Sequence, residues 1–178
     1  MKYEKIHPIN KDETVNIIVE IPANSNVKYE LNEETEMIEV DRFGVTTMHY
    51  PCNYGLIPNT LGGDGDALDA LIITRTPLHP GVMIAGRVIG VLQMEDEAGT
   101  DDKIICVPTA KCDRLYKNVN SCDDLQEGEL EKIIHFFGKY KDLDSGKWVK
   151  VTGCCGKDEA MKIIHEAIEN HKKKDKEI

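Results

Sequence analysis

Val82-Met83-Ile84-Ala85-Gly86-Arg87-Val88-Ile89-Gly90-Val91-Leu92-Gln93-Met94 is the stretch whose reading decides the fold. It is apolar and rich in β-branched residues, the composition of a buried strand, and it carries two interior glycines. Glycine inside a long strand marks a bend, so the run predicts the curved wall of a small barrel. Pro77 and Pro80 stop the chain in front of it. Behind it, Glu95 to Lys103 form an acidic loop, and Ile104 to Pro108 read as a further strand.

Upstream of the prolines stands Gly62-Gly63-Asp64-Gly65-Asp66-Ala67-Leu68-Asp69-Ala70-Leu71-Ile72-Ile73. Three carboxylates fall within a glycine-rich turn that leads directly into an apolar strand. The glycines permit a tight backbone that points anionic side chains at one place, where they repel one another unless a cation stands between them. Hard oxygen donors at this density suit Mg²⁺, Mn²⁺ or Ca²⁺.

The remaining elements fill out a mainly β chain. Val15, Ile17, Val19 and Ile21 alternate along a strand that carries Glu20 and ends at Pro22. Val27 to Leu31 place Lys28 and Glu30 on one face, a pattern most often met as a solvated ion pair, and Tyr29 on the other. Met37 to Phe43 form a strand with Arg42 near its end. Tyr50-Pro51-Cys52-Asn53-Tyr54-Gly55 reads as irregular and aromatic, with buried, hydrogen-bonded tyrosines as the default. Leu130, Ile133, Ile134 and Phe137 have helical spacing, with Asp123 and Asp124 as candidate N-caps. Trp148 to Val151 return as a strand. A last helix from about Asp158 buries Ala160, Ile164, Ala167 and Ile168, and its tail from His171 to Ile178 is expected to fray.

Length and composition bound the function. The 178 residues, 40% of them apolar, suit a single globular domain spanning 1–178. A net charge of −10, from 22 basic against 32 acidic residues, argues against nucleic acid or an anionic membrane as partner. The charged start Met1-Lys2-Tyr3-Glu4-Lys5 lacks a signal-peptide core, and no segment approaches membrane-spanning length, so a cytoplasmic protein is expected. Six cysteines without a Cys-x-x-Cys pair indicate neither zinc nor a thioredoxin motif; reduced, mostly buried thiols are expected, with a vicinal Cys154–Cys155 bond disfavoured.

The acidic residues Asp64, Asp66, Asp69, Asp96 and Asp101, with Glu20 and Glu30, alternate with Lys28, Arg42, Lys103 and Lys141. Metal-assisted phosphoryl transfer needs both halves of such a set. An EF-hand is excluded, because its sixth and twelfth positions are Asp69 and Arg75 rather than Gly and Glu. No Walker loop or nucleophile elbow occurs. Spacing alone leaves open a divalent-metal site acting on an anion and a solvated acidic loop.

Seven motifs settle the choice when read together. Asp64-Gly-Asp66-Ala-Leu-Asp69, Glu20-Ile-Pro-Ala-Asn24, Lys28-Tyr-Glu30, Asp41-Arg42-Phe43, Tyr50-Pro-Cys-Asn-Tyr54-Gly55, Asp96-Glu-Ala-Gly-x-Asp101-x-Lys103 and His135-Phe-Phe-x-x-Tyr140-Lys141 follow in order over almost the whole chain. The sequence resembles the bacterial family I soluble inorganic pyrophosphatases.

That resemblance implies an OB-like closed β-barrel with two flanking amphipathic helices and an active site on its open face. It implies several Mg²⁺ ions, with Mn²⁺ as a possible substitute, and pyrophosphate as substrate. Asp64, Asp69 and Asp101 hold the first metal in this scheme, Asp69 reaches a second, Asp96 with Asp101 binds another, and Glu30 supports the one arriving with substrate. Asp66 is the general base. Lys28, Arg42, Tyr54, Tyr140 and Lys141 hold the phosphates, and Glu20, Tyr50 and Lys103 orient their neighbours. A homohexamer of two trimers is implied, with His135 matching one contact histidine while Lys139 stands where a second is common. Ala67 replaces the usual proline of the aspartate turn, and His49 stands where phenylalanine is frequent. An OB-like barrel for single-stranded nucleic acid would need a basic, aromatic groove, which these carboxylates oppose. A passive ion buffer would leave the grouped Lys, Arg and Tyr without purpose.

Overall fold

The computed structural model describes residues 5–177, together with all their side chains except those of 175 and 177. The four residues at the charged start and Ile178 lie outside the described residues. Among the described residues nine strands and two α-helices occur in the order β1 (Val15–Ile21), β2 (Val27–Asn32), β3 (Met37–Phe43), β4 (Asn53–Leu56), β5 (Asp69–Ile72), β6 (Met83–Asp96), β7 (Gly99–Thr100), β8 (Lys103–Pro108), α1 (Glu129–Lys139), β9 (Val149–Gly156) and α2 (Lys157–Glu177).

The glycine-bearing run is the long strand β6, and it closes the barrel. Its first part pairs antiparallel with β1, its middle with β8 and its last part with β9 and β7. Since β1 also pairs with β4, β4 with β5 and β5 with β8, five strands return to their start as a ring. The β2–β3 hairpin forms a separate two-stranded sheet. Both glycines of β6 are required by close approach. A Cβ at Gly86 would stand 2.9 Å from both Cys106 Cβ and Ile17 Cδ1, and one at Gly90 would stand 2.6 Å from Cys122 Sγ and 2.7 Å from the Cys155 carbonyl oxygen.

Strands β5 and β8 are buried on both faces, so their alternation divides between two core clusters. Ala70, Ile72, Ile104 and Cys106 join Val15, Ile17 and Val19 in the cluster covered by Ala160, Ile164 and Ala167 of α2. Leu71, Ile73, Ile105 and Val107 join Ile89 and Leu92 in the cluster covered by Ile133, Phe136 and Phe137 of α1. Each large apolar side chain removed from water in this way contributes about 1.5–3 kcal/mol before entropy is counted.

Several expectations need correction. The cap of α1 is Gly128, with φ 85°, not Asp123 or Asp124; Asp124 instead accepts from Asn120 N and Ser121 N at a separate 3-10 turn over Cys122–Asp124. Asn53 to Leu56 are β4 rather than irregular, because Asn53 Nδ2 and the strand backbone bind β5 despite the neighbouring proline. Helix α2 does not fray from His171 but runs on to Glu177, with a Lys172–Glu169 ion pair of 2.7 Å along its polar face. Of the cysteines only Cys52 and Cys106 are buried; Cys112 is exposed and the other three are partly covered, and all six are free thiols.

Candidate active site

A cavity of about 450 Å³ opens beside the barrel, and all fourteen residues singled out above line it. Strand β1 delivers Glu20 at its end, and the β2–β3 hairpin delivers Glu30 and the register partners Lys28 and Arg42. Tyr50 and Tyr54 come from the segment entering β4 and from β4 itself. Asp69 opens β5, Asp96 closes β6, Lys103 opens β8 just after Asp101, and Tyr140 and Lys141 follow the last turn of α1. Strand and helix ends therefore converge on one opening.

Local chemistry shapes the aspartate turn. Gly62 N donates to the Asp66 carbonyl at 2.7 Å, and Asp66 N donates to Asp64 Oδ1 at 3.1 Å. Gly65 has φ 96°, a conformation that favours glycine. Leu61 N donates to the Ala167 carbonyl at 2.9 Å and Leu68 N to Thr60 Oγ1 at 2.9 Å, so α2 and the barrel hold both feet of the turn.

Most of the carboxylates are met by lysines. Lys103 Nζ lies 2.5 Å from Asp69 Oδ2 and also binds Asp101. Lys141 Nζ lies 2.6 Å from Asp96 Oδ2 and 3.5 Å from Glu97 Oε1. Lys28 pairs with Glu30 and stands 3.4 Å from Asp41 Oδ2. The expected solvated pair of Lys28 and Glu30 thus forms, but at the cavity wall. Asp66 differs: its carboxylate makes no hydrogen bond or ion pair among the described residues.

The field in the cavity is short of positive charge. Burial pushes Asp101 up to about 7, although Lys103 pulls it down, with Asp69 adding repulsion. Burial also pushes Glu20 up to about 8, against the stabilising hydrogen bond from Leu31 N at 2.7 Å. Asp64 rises for the same first reason, with Asp69 and Asp66 adding to it. Burial alone would lower the Lys103 ammonium, but Asp69 and Asp101 outweigh it and hold Lys103 above its ordinary range.

Among the described residues no three carboxylate, histidine or cysteine side chains already stand as a metal cage. The donor set nevertheless fits hard cations. Asp64, Asp69, Asp96, Asp101 and Glu30 share one cavity, and the raised Asp64 and Asp101 are the acids that added positive charge would favour in their ionised form.

The tyrosines do not follow the default reading. Their rings pack well, with Tyr50 4.7 Å from Phe136, Phe136 stacked on Tyr140 at 5.2 Å and Tyr54 6.2 Å from Phe137. Lys103 Nζ also lies 5.5 Å from the Tyr54 ring centre. Yet among the described residues none of the three hydroxyls has a protein partner, and no hydroxyl is a buried unsatisfied atom. Each is open to an oxygen in the cavity.

Sequence reasoning passed over Lys147, which lines the same cavity, and Glu97, which reaches Lys141 and accepts from Trp148 N at 3.4 Å. The pairing of Val149 with Asp96 carries residue 147 to the rim, a long-range register that no local motif displays. His49 is exposed, its Nδ1 3.1 Å from the Thr47 carbonyl, and does not line the cavity. Ala67 does line it.

A closed ring of strands opening on acids, lysines and unpaired phenols defines an OB-like barrel built around a polyvalent, charged site. The chain belongs to the inorganic pyrophosphatase family, whose model, described as inorganic pyrophosphatase, matches residues 17–172. It is 50% identical over 170 residues to the inorganic pyrophosphatase of Gluconobacter oxydans, covering 94% of this chain and 98% of that one. It is 48% identical over 174 residues to that of Rickettsia bellii, covering 97% and 99%. The structure is similar to that of an inorganic pyrophosphatase from Coxiella burnetii, with a TM-score of 0.90 and 44% identity over 93% of this chain and 99% of that one.

Proposed function

We propose that this chain hydrolyses inorganic pyrophosphate to two orthophosphates, removing pyrophosphate left by biosynthetic reactions. The observation that carries the reading is the meeting, in one cavity of a member of this family, of eight carboxylates with lysines, an arginine and three open phenols. Asp64, Asp69 and Asp101 would hold one Mg²⁺, Asp69 would also serve a second, Asp96 with Asp101 would take another, and Glu30 would support the one that enters with substrate; Mn²⁺ would be a possible substitute. When bound, these ions supply charge neutralisation at the phosphate oxygens and make the attacking water more acidic.

The chain's own residues do the rest. Asp66, unpaired and exposed on its turn, accepts the proton of that water as it attacks one phosphorus in line. Lys28, Arg42, Tyr54, Tyr140 and Lys141, which line the cavity, would donate to the phosphate oxygens. Lys103 holds Asp69 and Asp101 in place, while Tyr50 and Glu20 brace the wall, Glu20 through Leu31 N.

The chain works as one domain in the cytoplasm, and no helix among the described residues is long and apolar enough to cross a membrane. It assembles as a hexamer of two trimers, a reading supported by exposed apolar side chains at Met37, Val40 and Phe43 and by the exposed His135 on α1. Sedimentation of the purified protein tests the assembly. The activity is tested by orthophosphate release from pyrophosphate with Mg²⁺, with Mn²⁺ and with chelator. Release is expected with either metal and not with chelator; metal-independent release, or none at all, overturns the assignment.

A further inference from the structure

Away from the cavity, two thiols from distant parts of the chain face one another. Cys122, in the 3-10 turn ahead of α1, has its Sγ 3.9 Å from Sγ of Cys154 on β9. Both side chains are partly covered, and both pack against the core cluster under α1. The thiol of Cys122 lies directly over Gly90 of β6, where any side chain would displace it, and its Sγ is 3.8 Å from the Ile89 carbonyl oxygen. The missing Cβ on β6 is thus what lets the turn bring its sulfur up to β9.

Strand alternation excludes the neighbouring cysteine. Cys155 packs against the opposite core cluster, and its thiol lies 3.2 Å from Gln93 Oε1. The vicinal Cys154–Cys155 bond is disfavoured for the same reason, and the partner that faces Cys154 is 32 positions away in sequence.

We propose that Cys122 and Cys154 are a reversible thiol–disulfide pair that a hydroperoxide oxidises. The sulfurs must approach from 3.9 Å to about 2.0 Å, a distance that side-chain rotation of two partly covered cysteines spans. Each sulfur lies beside the other, so whichever thiol is oxidised first has its resolving partner 3.9 Å away. The thiolate of one cysteine attacks one peroxide oxygen, the O–O bond breaks, and water leaves after protonation. The sulfur of the facing cysteine then attacks the resulting sulfenic sulfur, the S–O bond breaks and a second water departs, so two thiols and one hydrogen peroxide yield one disulfide and two waters. A dithiol reductant reverses the bond by exchange. The staple ties the turn before α1 to β9, and α1 is the helix whose end carries Tyr140 and Lys141 to the cavity.

The test treats the folded, full-length protein with hydrogen peroxide at neutral pH, blocks the remaining thiols and maps the cysteines by mass spectrometry. Loss of two of the six thiols is expected, with a peptide linking Cys122 to Cys154 within one chain, restored by dithiothreitol. Cys122→Ser and Cys154→Ser are each expected to abolish the cross-link within the chain. The proposal is overturned if all six thiols survive, if Cys112 alone reacts, or if the bond joins two chains. Wild-type mapping decides the matter even if either variant fails to fold.

Discussion

Lys103 and Asp69 are register partners across the parallel strands β8 and β5, and the Lys103 ammonium lies 2.5 Å from the Asp69 carboxylate. With Lys103 only 2% exposed and also bound to Asp101, one buried cation holds two acids of the cavity. Removing it leaves both carboxylates without their partner in a poorly solvated place. Lys103→Met is expected to destabilise the metal-free protein by about 3–5 kcal/mol in urea unfolding. Saturating Mg²⁺ should recover part of that loss, and equal stability of variant and parent would show that the pair carries no such weight.

Among the described residues the Asp66 carboxylate has no partner to lose, so its replacement separates chemistry from folding. Asp66→Asn should unfold like the parent while pyrophosphate turnover falls by about 10²–10⁴-fold. Stopped assays of phosphate release at saturating substrate measure this directly; undiminished turnover removes Asp66 from its role as base.

The Tyr140 hydroxyl offers a milder test. Its ring stays stacked on Phe136 in Tyr140→Phe, so only the oxygen is lost. A hydrogen bond to a charged oxygen contributes about 1.5–3 kcal/mol, which corresponds to a fall of about 10- to 100-fold in kcat/KM. Steady-state kinetics with unchanged kcat/KM would place the hydroxyl outside the site.

Glu20 makes the metal-free protein sensitive to pH. Burial raises it from 4.5 to about 8 in the folded chain, so folding favours its protonated form. Its contribution to stability is therefore fully present below about pH 4.5 and is lost as pH rises through about 8. Glu20→Gln keeps an acceptor for Leu31 N and should flatten this fall, whose slope from one group is at most about 1.4 kcal/mol per pH unit. Urea midpoints across that range, with chelator present, compare the two proteins.

Ala67 can be exchanged for the proline that the family resemblance leads one to expect there. Its backbone has no positive φ and its amide makes no hydrogen bond among the described residues, so proline removes no contact there. Ala67→Pro is expected to raise stability by about 0.4–1 kcal/mol through the unfolded chain, with turnover retained. A lower thermal midpoint would mean that the turn needs the freedom alanine gives.

Strands bounded by clear stop signals or rich in β-formers could be read directly: β1 ends at Ile21 before Pro22, and β3 runs from Met37 to Phe43. Strand β4 was hidden because Pro51 and Gly55 are turn residues, and only pairing to β1 and β5 makes this segment extended. The start of α1 was misplaced because Asp124 is a good cap that serves a different, shorter turn. At the site, residue types and order pointed to the acids and cations through family resemblance, and the structure brings all of them to one cavity. What could not be read was which cation faces which acid. The Lys103–Asp69 and Lys141–Asp96 pairs join residues 34 and 45 positions apart, distances that only the closed ring and the end of α1 bridge.

The seam strand β6 also sets an order of events during synthesis. As the chain emerges from its N-terminus, β1, β4 and β5 can associate, but the free edge of β1 waits for β6 and that of β5 waits for β8. Through that interval Asp64, Asp66 and Asp69 exist without Lys103, which is made 34 residues after Asp69. A nascent chain halted there presents two unpaired sheet edges beside a concentrated negative charge. The edges invite association with other nascent chains, and the charge repels them, so the aspartate turn opposes clustering of unfinished barrels.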